Sequence, residues 1–225
     1  MEFADCDTLL SPEPLPLEMG VERQPSGQLR VALRTYMLGC TGAMFQWWFG
    51  WGPRTREYAW WHPGDHVSSE WRDLPADGSG IGATHLAGER LGGDEVHNLR
   101  IRFHDPLEIF GDGLQRARKR SDVSCAVTAN IGMGPDAPVD GEGRPLGGRL
   151  VHLGRDTQLG LLLRSNFWLG WGLDLPPEQL TEQVPDGLGL DLMKHSSSEW
   201  IYLSRFLPSL YMAENRDVLP APAVW

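Results

Sequence analysis

The chain has 225 residues, a mass of 25.1 kDa and a formal net charge of −10, with 41% hydrophobic and 22% charged residues. That is one ordinary globular core, and the negative balance argues against a nucleic-acid partner, which would favour a basic face. Ten tryptophans are out of proportion for this length, and such rings often line ligand pockets.

Residues 1–28 are acidic and proline-rich, with Pro12, Pro14, Pro16 and Pro25 breaking any helix. They read as an extended arm, with the features of a signal peptide missing. The apolar run "LRVALRTYMLGCTGAMFQWWF" (29–49) predicts a helix ending near Gly50 and Gly52. "GATHLAGER" (82–90), "VHNLRIRFH" (96–104) and "SDVSCAVTANI" (121–131) read as strands. In the second, Leu99, Ile101 and Phe103 alternate with Arg100 and Arg102, the period of a half-buried strand. The basic run "RARKR" (116–120) reads as a solvated loop or strand end.

After a Gly/Pro-rich loop, "RLVHLGRD" (149–156) and "GLLLRSNFWLG" (160–170) form a predicted hairpin. A second Pro-rich connector (174–187) follows. The period then changes: Leu192, His195, Glu199, Leu203 and Phe206 fall on one face of a helix, which Pro208 kinks or ends. The sum is an α+β layout, a curved antiparallel sheet gripping a final helix. The expected organisation is an arm (1–28) followed by one catalytic domain (29–225).

Three widely spaced cysteines, Cys6, Cys40 and Cys125, form no C-x-x-C pair, so a reducing cytoplasm is the default location. No apolar run approaches the roughly 18 residues of a membrane helix. Phosphate-loop and nucleophile-elbow patterns are absent.

The chemistry-bearing residues are a small set. His195 and Glu199 lie four apart on the predicted helix, so both project from one face and can hold an ion between them. The apolar stripe around them turns that face inward, where an unpartnered charge is costly. "EYAWWHPGDHVSSEW" (57–71) sets His62 and His66 among three tryptophans and a tyrosine. It is either a packed surface turn or one wall of a metal-containing pocket, with Asp65 available to orient a neighbour. A strand carboxylate could join them, Glu89 or Glu95. His152 shares a strand face with Leu150 and is either a satisfied core histidine or a proton shuttle. Two histidines and two carboxylates suit zinc, with iron or manganese as alternatives.

The segments "YAWWHPGDH", "GATHLAGERLGG", "LRIRFHDP", "RLVHLGRDTQLGLLLRSNFWLG" and "HSSSEWIYLSRFLPSLY" resemble the 2,4-diacetylphloroglucinol hydrolase and phloretin hydrolase family. The resemblance runs roughly over residues 45–212. It implies zinc-dependent hydrolases that cleave a carbon–carbon bond between an acyl group and a polyhydroxylated ring. It also implies a helix-grip domain like that of the birch-pollen allergens (Bet v I-like) and START domains. By position, His66, Glu89, His195 and Glu199 would bind the metal, with Glu95 still open as the strand ligand. His152 would handle protons, and Tyr58 would contact a phenolic hydroxyl. Two substrate-contact positions depart from the pattern: Ser69 stands for an asparagine and Phe167 for a tyrosine. A longer N-terminal helical region used in assembly is expected to be missing, and a homodimer is the candidate assembly. The departures motivate a second reading, a non-hydrolytic cyclase or isomerase acting on a polyketide-like substrate. A third is a carrier without chemistry, since helix-grip folds also bind lipids and hormones.

Overall fold

The computed structural model describes residues 1–218, so residues 219–225 of the expected catalytic domain lie outside the described residues. Eight strands form one sheet: β1 (Gly20–Arg23), β2 (Leu29–Leu38), β3 (His66–Arg72), β4 (Thr84–Arg90), β5 (Val96–His104), β6 (Cys125–Met133), β7 (Gly148–Thr157) and β8 (Gly160–Leu169). Their spatial order is β1-β2-β8-β7-β6-β5-β4-β3, and every neighbouring pair is antiparallel. Six helices accompany them: α1 (Gly42–Trp51), α2 (Thr55–Trp61), α3 (Leu107–Lys119), α4 (Pro177–Gln183), α5 (Asp186–Ser204) and α6 (Leu207–Glu214).

Helix α5 fixes the curvature. Gly189 packs so closely against Leu29, Val21 and Val31 that a Cβ there would meet the Leu29 side chain at 2.6 Å. Less than two turns later His195 reaches β3 and β4 at the other end of the sheet. One helix touching both ends requires a sheet curled around it, with the ordinary strand twist accumulated over eight strands. This is the helix-grip arrangement the sequence predicts.

Both faces of the sheet are covered. The concave face packs Leu33, Phe45, Trp48, Leu163, Trp200 and Leu203 into the main core. The convex face buries Leu9, Phe110, Leu114, Val151 and Trp168 under the N-terminal segment and α3. The first 28 residues are therefore docked: they make a 3-10 turn over Phe3–Leu10 and supply β1. Buried Arg164 on β8 holds them, donating to the carbonyls of Ser11 and Glu13 and to the Glu18 carboxylate.

The helix predicted over 29–49 is corrected. Residues 29–38 are β2, and the helix begins only at Gly42. Leu29, Val31, Leu33 and Met37 alternate with Arg30 and Arg34, a period of two that the overall apolarity obscures. Gly39 at φ +73° turns the chain, and the Thr41 hydroxyl caps α1 by accepting from Met44 N–H. The left-handed Gly52 closes it, as expected for the helix end.

"RARKR" is corrected too: it is the basic C-terminal end of α3 together with its cap residue Arg120, and Phe110, Leu114 and Ala117 of that helix face the convex core. The connector at 174–187 contains α4. The final helix is two: α6 begins at Leu207, three residues after α5 ends, with Pro208 in its first turn. Strands β4, β5 and the β7–β8 hairpin lie where the sequence predicts them, and the strand expected over 121–131 starts at Cys125.

Candidate metal centre and active site

The "HPGD" turn ends α2 and delivers His66 as the first residue of β3, fully inside the concave face. Its Nδ1 lies 2.9 Å from the carbonyl oxygen of Tyr58. A carbonyl only accepts, so Nδ1 carries the hydrogen and Nε2 keeps its lone pair. His195 on α5 is set the same way: its Nδ1 is 3.0 Å from the Asp65 carboxylate. The two Nε2 atoms then face each other at 3.3 Å. The two ring nitrogens therefore converge on one point between β3 and α5.

Two carboxylates join them. Glu199, one turn beyond His195, brings Oε2 to 3.7 Å from His66 Nε2 and 3.9 Å from His195 Nε2. Glu89 on β4 brings Oε2 to 3.6 Å from His195 Nε2, and the Tyr58 hydroxyl donates to its other oxygen. Donor atoms of His66, His195 and Glu199 all lie within 4.8 Å of one another. Glu95 is exposed in the β4–β5 turn, far from burial of this kind.

The electrostatics leave a deficit of positive charge. Burial, then the neighbouring His195, pushes His66 down to about 2, so it is neutral. Burial, then the charge of Glu89, raises Glu199 well above the usual carboxylate range. Two buried carboxyl groups beside two inward-facing imidazoles are a donor set that fits a divalent cation, and the mix of nitrogen and oxygen suits zinc. Asp65 serves the opposite nitrogen of His195 and is an orienting group. His62 stacks on His195 with ring centroids 4.9 Å apart and contacts Ser198 Oγ at 2.8 Å.

The cluster opens into a cavity of about 70 Å³, whose walls include Phe49, His85, Leu150, His152, Phe167 and Trp200. His152 is buried, pushed down to about 3 by desolvation, and its Nδ1 is 2.9 Å from Ser165 Oγ. Phe167 meets it edge-on at 5.6 Å. Tyr58 lies flat on His66 at 3.8 Å and lines the same cavity. Ser69 is different. Its hydroxyl contacts His85 Nε2 and the Pro53 carbonyl, so it stands behind the cavity wall rather than in it.

Sequence reasoning passed over His85. The signal was present: on a strand, positions 85, 87 and 89 share a face, so choosing Glu89 also aims His85 inward. Ser165, paired with His152 across β7–β8, could not be found without the register.

Comparison with known proteins gives a consistent result. The family model described as the DAPG hydrolase PhiG domain matches residues 1–212. The 2,4-diacetylphloroglucinol hydrolase of Pseudomonas protegens is 28% identical over 92% of this chain and 72% of its own length. The phloretin hydrolase of Eubacterium ramulus is 27% identical over 85% of this chain and 70% of its own. Among solved structures, protein Ms6760 from Mycobacterium smegmatis superposes with a TM-score of 0.47 at 13% identity, covering 85% of this chain and 98% of that one.

Proposed function

The chain belongs to the DAPG hydrolase PhiG domain family, and on that premise we propose that it is a metal-dependent hydrolase that cleaves the carbon–carbon bond joining an acyl group to a phenolic ring. The observation that carries this reading is the convergence of His66 Nε2, His195 Nε2 and the Glu89 and Glu199 carboxylates beside an aromatic-walled cavity. Those four residues would hold zinc, with iron or manganese as alternatives. The cation would supply Lewis-acid polarisation of the acyl carbonyl.

The remaining work belongs to the chain. Asp65 and the Tyr58 carbonyl hold the two imidazoles with Nε2 inward. The Tyr58 hydroxyl steadies Glu89 and borders the substrate. Neutral His152, oriented by Ser165, would take a proton from the water that attacks the acyl carbon and pass it to the ring carbon as the carbon–carbon bond breaks. Phe49, Phe167 and Trp200 would pack on the ring and confine it beside the metal-binding residues. A phenolic ketone, a cytoplasmic setting and a homodimer complete the proposal; buried free thiols at Cys6, Cys40 and Cys125 accord with that setting.

The second reading, a cyclase or isomerase, draws on Phe167, which gives the cavity wall no hydroxyl. Elemental analysis of the natively purified protein, then acylphenol turnover followed by mass spectrometry, tests both. Hydrolysis adds one water and releases a carboxylic acid; isomerisation leaves the mass unchanged. A protein free of metal and inert on acylphenols would support the carrier instead.

A further inference from the structure

We propose that His85 is a specificity-determining residue: its bare Nδ1 accepts a hydrogen bond from a ring hydroxyl of the substrate and selects phenols over their ethers. This rests on the phenolic-ketone reading above, since it names a feature of that substrate.

Counting protons fixes the ring. Ser69 Oγ lies 2.7 Å from the Pro53 carbonyl oxygen. Two oxygens so close need a hydrogen between them, and only serine has one to give. Ser69 Oγ also lies 2.9 Å from His85 Nε2. With its own hydrogen committed, serine must accept here, so Nε2 carries the hydrogen. Burial pushes His85 down to about 3, so the ring has a single N–H and Nδ1 is an acceptor.

Nδ1 makes no hydrogen bond among the described residues, although His85 is buried and lines the cavity. The ring cannot turn away. Trp71 stacks on it at 4.4 Å, and Tyr58 abuts it edge-on at 5.0 Å. Ser69, expected to touch substrate itself, acts instead as the positioning residue that sets the tautomer. Nearby walls at Leu99, Ile101 and Phe103 offer no competing donor. An acceptor so placed is left unpaired by a ligand lacking a donor, which is how a site rejects that ligand strongly.

The test uses the whole protein labelled with 15N-histidine, the probe being phloroglucinol against its trimethyl ether. The His85 signal, identified as the one lost in His85→Phe, is expected to report Nε2–H with a bare Nδ1. It should shift with the phenol and not with the ether. His85→Phe and Ser69→Ala should each reduce the phenol-over-ether preference in calorimetric binding by about tenfold or more. A protonated Nδ1, or an unchanged preference in Ser69→Ala, overturns the proposal. Binding needs no turnover, so the two readings separate. Acylphenols left uncleaved while the His85 signal still shifts would sink the hydrolase reading alone. Cleavage with the preference intact in both variants would sink this one alone.

Discussion

The two faces of the sheet bury charge in opposite ways. On the convex face Arg164 meets the Glu18 carboxylate at 2.7 Å and several carbonyls of the docked arm. Burial alone would raise the Glu18 carboxyl, yet the hydrogen bond and charge of Arg164 hold it below its usual value. On the concave face Glu199 is raised by burial and by Glu89, and among the described residues no lysine or arginine pairs with it. A paired buried charge fixes structure; an unanswered one is a cost the fold carries for something it binds.

The largest test of that contrast is His195→Ala. It should empty the metal centre and lower acylphenol turnover by about a thousandfold or more, measured by elemental analysis and kinetics. Full metal content with full turnover would break the assignment. On the other face Arg164→Ala should cost about 3–5 kcal/mol in denaturant unfolding while leaving metal content unchanged. Loss of both together would mean that the faces are not independent.

Asp65→Asn sharpens the comparison within the concave face. It removes the carboxylate that orients His195, and should weaken metal affinity by about 10–100-fold without abolishing it. Glu199→Gln has a sign that a structural salt bridge could not give. It should abolish metal binding yet stabilise the metal-free protein by about 1 kcal/mol, because it replaces a carboxyl that burial and Glu89 force to stay protonated.

A further effect is spread over pH. His85 and His152 are held near 3 and His104 near 4, mainly by burial. Their folded values lie below the ordinary 6.5, so the unfolded chain takes up their protons first as pH falls. The stability they contribute is present above about pH 6.5 and declines below it. Each adds a slope of at most about 1.4 kcal/mol per pH unit down to its folded value. Unfolding of the metal-free protein between about pH 7 and 5 should steepen accordingly, and a flat profile would contradict their neutrality.

Much of this was legible in one dimension because it depends on local period. Strands β4, β5, β7 and β8 follow from alternation and turns, and His195 and Glu199 follow from helical spacing. What misled was apolarity without attention to period, at β2, and a glycine at φ 46° interrupting the pattern of α3. The sequence by itself determined a final helix carrying an imidazole and a carboxylate on its inward face, with a histidine turn and a strand acid to accompany them. Only the tertiary structure decided that β3, β4 and α5 meet, because that depends on sheet curl and on register across many residues. It alone chose Glu89 over Glu95 as the neighbour of His195, moved Ser69 behind His85, and set each imidazole's hydrogen by the oxygen packed against it. Such choices rest on contacts between residues far apart in the chain, which no local pattern encodes.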